Sequence, residues 1–174
     1  MTLAYVFSHR PAEGVDVADY ETALKRFHAS LAGSPPVGFL GSSTFRTGDR
    51  YSDWYLVESS AALDFLNEAA VSGARTQAHD AAARMAVDFA GKLYGLSAGE
   101  PLSNPGFEIR FSKPAGMGYA DLYERMKKYT IGPGAGLWRR MMVLGPPPEF
   151  CLIAPSEVEL PPEFRPEVLS REPI

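Results

Sequence analysis

Phe7-Ser8-His9-Arg10-Pro11-Ala12, with Ala18-Asp19-Tyr20 and Leu24-Lys25-Arg26-Phe27 behind it, decides the fold, because the chain says it again. About a hundred residues on come Phe111-Ser112-Lys113-Pro114-Ala115, Ala120-Asp121-Leu122 and Met126-Lys127-Lys128-Tyr129. The far ends match too, Leu96-Ser97-Ala98-Gly99-Glu100-Pro101 against Leu169-Ser170-Arg171-Glu172-Pro173. Self-similarity at one separation signals a repeated structural unit.

In the first copy, Leu3 to Ser8 are apolar and strand-prone. Asp16 is placed to cap a helix on which Tyr20, Leu24, Phe27 and Leu31 form one apolar stripe. Gly33, Pro35 and Pro36 end it. Residues 37–46 and 53–58 read as a hairpin around Thr47-Gly48-Asp49. Helices are expected over 61–71 and about 80–90, and a last strand over 92–96. The order is β-α-β-β-α-β with one additional helix, a ferredoxin-like unit. The second copy has strands at 107–111, 137–144 and 149–154, with a helix over about 119–129. Here 149–153 aligns with 53–57. Pro155, Pro161 and Pro162 leave no room for a regular helix before its last strand. The expectation is an α+β protein of two tandem ferredoxin-like units. Unit 1 spans 1–101 and a trimmed β-α-β-β-β unit 2 spans 102–174, packed sheet to sheet as an α+β barrel.

The net charge is -4, from 17 basic and 21 acidic residues, and neither half is basic enough to suggest a nucleic-acid surface. The single cysteine, Cys151, excludes an internal disulfide and fits a reducing cytoplasm. Leu3 to Phe7 is too short an apolar stretch for a signal peptide or membrane span. A cytoplasmic protein, monomer or homodimer, is expected, without nucleic-acid or membrane partners.

On these residues the chain resembles the dimeric α+β barrel proteins, in which two ferredoxin-like units face each other across their sheets. That group includes antibiotic-biosynthesis and haem-degrading monooxygenases, chlorite dismutases, muconolactone isomerases and bacterial members without an assigned reaction, which this chain resembles most. The resemblance implies a small-molecule enzyme, a cofactor-light monooxygenase or an isomerase, with its pocket between the two units. The alternatives are a non-enzymatic ligand-binding or assembly protein, and a haem binder using a histidine. No other cofactor and no metal is expected: nucleotide-binding glycine motifs, H-E-x-x-H and C-x-x-C are all absent.

Candidate site residues follow from position. His9 ends the first strand and His79 stands beside Asp80; both are candidate proton acceptors. His28, past the apolar stripe, reads as a cation near a helix C-terminus. Asn67, Arg75 and His79 lie in a segment the second copy lacks, and Arg75 suits a carboxylate ligand. Glu108 and Arg110 alternate with Phe107, Ile109 and Phe111, so they point into the space between the sheets, to hold a polar ligand or to pair with each other. Trp54 and Trp138 are candidate pocket walls for a flat ligand, or plain core.

Overall fold

A computed structural model describes residues 1–101 and 106–174. The boundary expected after residue 101 therefore abuts a stretch outside the described residues. Eight antiparallel strands close into a barrel: β1 (Leu3–Pro11), β2 (Phe39–Thr47), β3 (Arg50–Val57), β4 (Ala86–Gly99), β5 (Gly106–Phe111), β6 (Gly136–Arg140), β7 (Phe150–Ala154) and β8 (Glu167–Pro173). Around the barrel they run β1-β3-β2-β8-β5-β7-β6-β4. The first half contributes β4-β1-β3-β2 and the second β8-β5-β7-β6, the same order of fourth, first, third and second strand. The seams differ in length: β4 meets β6 from Tyr94–Arg140 to Gly99–Gly136, whereas β2 meets β8 through only two residue pairs.

Among the described residues, four helices lie outside the barrel: α1 (Val17–Gly33), α2 (Ala62–Ala70), α3 (Thr76–Ala83) and α4 (Tyr119–Met126). The Asp16 carboxylate accepts from the amides of Ala18 and Asp19, satisfying two of the donors that open α1. Tyr20, Leu24, Phe27 and Leu31 are buried against the sheet, as their spacing requires. Among the described residues, no helix is long and apolar enough to cross a membrane.

Two boundaries and one alignment depart from expectation. The third helix is α3, ending at Ala83, and Ala86 and Val87 instead pair with Pro11 and Arg10. Ladder bonds to β1 outweigh the helix propensity of this alanine-rich stretch. The strand expected over 137–144 stops at Arg140, because Met142 turns left-handed (φ 49°) and the Leu144 amide donates back to the Met141 carbonyl. The expected alignment of 149–153 with 53–57 is one residue out of step. Trp54 faces the barrel interior, whereas Phe150 faces α4. A one-residue slip exchanges the faces of every side chain on a strand.

The barrel interior is packed. Ala4, Val6, Phe45, Trp54, Tyr94, Trp138, Cys151 and Ile153 fill it, with Trp54 edge-on to Trp138 at 5.6 Å between centroids. Glu108 and Arg110 do point inward, and they pair, Arg110 Nε to Glu108 Oε1 at 2.5 Å. Arg171 lies 3.7 Å from Glu108, over the ring of Phe45. Burial, and then the charge of Glu108, pushes the Cys151 thiol well above its ordinary value. The space between the sheets, where the pocket was expected, is occupied by side chains.

Candidate functional site

The open space lies on the other face of β4-β1-β3-β2, under the helices. Alternation along β1 turns Tyr5, Phe7 and His9 to that side. Register sets Tyr5 opposite Tyr55, Phe7 opposite Asp53 and His9 opposite Tyr51. On the next strand Thr44 stands opposite Asp53. An aspartate in the middle of a sheet is disfavoured and must find donors.

Asp53, only 3% exposed, finds three, with a second histidine close by. Its Oδ2 accepts from His9 Nε2 at 3.1 Å and from the Tyr55 hydroxyl at 3.2 Å. Its Oδ1 accepts from Thr44 Oγ1 at 2.6 Å and lies 3.3 Å from His28 Nε2. Because Asp53 can only accept, the His9 hydrogen is on Nε2, which leaves Nδ1 to accept from the Tyr20 hydroxyl at 2.5 Å. On the far side, His28 Nδ1 meets Ser42 Oγ at 2.7 Å. The result is a continuous chain, Tyr20–His9–Asp53–His28–Ser42. Burial alone would raise the Asp53 carboxyl, but the hydrogen bonds from His28 and His9 outweigh it and hold that carboxyl well below the usual range. Burial, then the charges of Asp53 and Tyr51, pushes the Tyr20 phenol well up, so Tyr20 keeps its proton.

Beside this chain is a cavity of about 530 Å³, within the range of small-molecule sites. Tyr5, Phe7, Phe27, Tyr55 and Phe89 supply aromatic walls, and Leu24, Leu63, Leu66, Ala70 and Val71 the aliphatic ones. Its polar lining is Tyr20, His9, Asp53, Asp64, Asn67 and His79. His79, on α3, is held by its neighbour, Nδ1 to Asp80 Oδ1 at 3.2 Å, and its ring sits edge-on to Phe27.

Of the residues singled out in the sequence, His9, His79 and Asn67 come together at this cavity. Arg75 does not line it; its guanidinium donates to the carbonyl oxygens of Ser30, Ala69 and Ser34, tying the end of α1 to α2. Glu108, Arg110, Trp54 and Trp138 belong to the barrel interior. Sequence reading missed Tyr20, His28, Thr44, Asp53 and Tyr55 as a group. His28 is no solvated cation but a member of the buried chain. The available signal was Asp53 itself, a carboxylate between Tyr51 and Tyr55 on one face of a strand.

No protein-family model matches the chain, and no curated protein matches it significantly. Solved structures do. A provisionally named monooxygenase from Fusobacterium nucleatum superposes with a TM-score of 0.65 at 10% identity, over 99% of this chain and 92% of its own. One from Lactobacillus acidophilus gives 0.60 at 10% identity, over 99% and 94%. A protein provisionally named as a chlorite dismutase gives 0.51 at 14% identity, over 87% and 77%. At these identities the likeness shows the fold, an α+β barrel, and leaves the reaction to the site.

For haem, one of the alternatives, the cavity offers two histidines, His9 and His79, but no cationic anchor. No Lys or Arg lines it to meet two propionates, while Asp53 and Asp64 add negative charge. Both ring nitrogens of His9 are engaged. Among the described residues, no group of three or more His, Cys, Asp or Glu side chains is arranged to hold a metal ion.

Proposed function

We propose that the chain is a small-molecule enzyme that removes a proton from a flat, uncharged, largely apolar substrate, and that it does so without a bound cofactor. The observation that carries this is the buried Tyr20–His9–Asp53 chain ending at an aromatic cavity with no Lys or Arg in its lining. Its geometry suits a relay. The substrate proton passes to the Tyr20 oxygen as the Tyr20 proton passes to His9 Nδ1, and Asp53 stabilises the imidazolium that forms. His79, oriented by Asp80, stands at the same cavity as a second proton acceptor.

The carbanion left behind has two outcomes. Returning the proton at another carbon is isomerisation. Giving electrons to dissolved dioxygen is monooxygenation, in which a CH₂ becomes a carbonyl, one oxygen atom is kept and the other leaves as water. We favour the second, which agrees with the names carried by the like-folded proteins from Fusobacterium and Lactobacillus. The same reading takes the chain as two tandem units, 1–101 and 102–174, with the site in the first. Supporting it are the repeated motifs and the shared strand order.

Anthrone, three fused rings with an acidic CH₂, is a suitable probe. An oxygen electrode should show one dioxygen consumed per anthrone, with anthraquinone formed. His79→Gln should slow turnover by roughly a hundredfold or more, the range for loss of one acid–base group being about 10²–10⁴. Binding without turnover would favour a ligand-binding protein, and exchange of the CH₂ hydrogens without oxygen uptake an isomerase. Absence of binding would sink the assignment of this cavity as a substrate site.

A further inference from the structure

The rim of the cavity is shaped by an irregularity in β4. Between the pairs Ser8–Ala90 and Arg10–Val87, β1 spends one residue, His9, and β4 spends two, Asp88 and Phe89. This is a β-bulge, which bends its strand and re-aims a side chain. Asp88 adopts a left-handed backbone (φ 57°), a conformation that few residues other than glycine accept and that aspartate tolerates.

Two arginines from neighbouring strands hold it there. Arg10 Nε donates to the Asp88 carboxylate at 2.5 Å, and Arg50 Nη2 to its carbonyl at 3.0 Å. Arg50 also reaches the hydroxyl of Ser8, one residue before the bulge.

The residue that this clamp presents is Phe89. It is 54% exposed, yet it lines the cavity and stacks on Phe7, with 5.5 Å between centroids and planes 13° apart. Phe7 in turn stacks on Tyr5, and Tyr5 on Tyr55, each pair within 27° of parallel. Gly91, the next helix-facing position on β4, carries no side chain; a Cβ there would stand 2.7 Å from the Tyr5 hydroxyl. The sheet thus offers a row of four aligned rings, and the last stands half in water at the mouth. Uncommon backbone geometry of this kind clusters at ligand clamps and active sites.

We propose that Phe89 is a specificity-determining residue that stacks an aromatic ring of the ligand, and that Asp88 is the positioning residue that sets it there. This rests on the reading of the cavity as a substrate site.

The test compares two uncharged probes of the same carbon skeleton, 2-naphthol and its saturated analogue decahydro-2-naphthol. Affinities are measured by calorimetry on the whole chain. The wild type should prefer the aromatic probe by about fivefold, the worth of one stacked pair. Phe89→Leu keeps an apolar group of similar size and should lose the preference. Asp88→Val, whose branched side chain rejects the left-handed backbone, should lose it as well. Asp88→Gly, which accepts that backbone, should keep it. Melting curves confirm that each variant is folded. A preference that survives in Phe89→Leu overturns the role of Phe89. One that survives in Asp88→Val, or is lost in Asp88→Gly, overturns that of Asp88. If the wild type binds neither probe, the substrate-site reading itself fails and takes this proposal with it.

Discussion

The two halves of the barrel share a strand order but differ in what they place at one register position. In the first, Phe7 of β1 stands opposite Asp53 of β3. In the second, Phe111 of β5 stands opposite Phe150 of β7. Phe150 stacks on Phe111 at 5.4 Å, Phe164 meets Phe111 edge-on, and α4 adds Leu122 and Met126 to a core whose buried members are all hydrophobic. Where that core has Leu122 from its helix, the first half has Tyr20, whose hydroxyl is committed to His9. One carboxylate therefore recruits a tyrosine, two histidines and a threonine, and the same interface becomes a polar site beside a cavity. A buried charge is stable only with such partners.

Exchanging the two residues should break the comparison most severely in the second half. Phe150→Asp places a carboxylate where Phe111 and Phe164 offer no donor. Arg139, above the Phe150 ring, is already held by Glu149. Loss of the ring and burial of an unpaired charge should together cost at least about 4 kcal/mol, read as a large fall in the urea midpoint. A cooperative transition within ~1 kcal/mol of wild type would show that the second half tolerates polarity as the first does.

Removing the carboxylate from the first half should cost less, because it leaves hydrogen-bond donors unpaired without burying a new charge. Asp53→Ala leaves the donors of His9, Thr44 and Tyr55 without their acceptor, a loss of about 3 kcal/mol at pH 7. The pH dependence follows from the depressed Asp53 carboxyl. Its contribution is complete above the unfolded value of about 3.9 and is lost as pH falls towards the lower folded value. Urea midpoints from pH 7 to pH 2.5 should fall steeply below about pH 4 for the wild type and less for Asp53→Ala. Equal acid slopes would show that Asp53 is not the carboxylate that governs this limb.

The contrast between halves was partly legible in the sequence. Element order and the α1 stripe could be read because Tyr20, Leu24, Phe27 and Leu31 obey helical spacing, and the inward turn of Glu108 and Arg110 because alternation fixes a strand's faces. The bulge at Asp88 could not be read. An aspartate before a phenylalanine looks the same in a helix as in a bent strand, and the outcome rested on pairing with β1, nearly eighty residues away. The site was half visible. His9 stood out by type, whereas Tyr20 was absorbed into the apolar stripe, since a tyrosine at a core position shows its ring in the pattern and hides its hydroxyl. Asp53 was set against Glu149 by a one-residue slip, so its true counterpart, Phe150, went unseen.

The smallest expected effect bears on what the polar half is for. Tyr20→Phe deletes one oxygen and keeps the ring against Tyr51, edge-on at 5.3 Å. If the hydroxyl serves only to satisfy His9 Nδ1, the cost is that of one buried hydrogen bond, about 1–2 kcal/mol, and anthrone turnover should change little. If Tyr20 passes the substrate proton to His9, stability falls by the same small amount while turnover drops about a hundredfold with little change in KM, because the missing step belongs to the transition state and not to binding. Stability cannot separate the two roles, since both lose the same bond. The division between kcat and KM can, and only a relay predicts that the second half, with Leu122 in place of Tyr20, has no chemistry to lose.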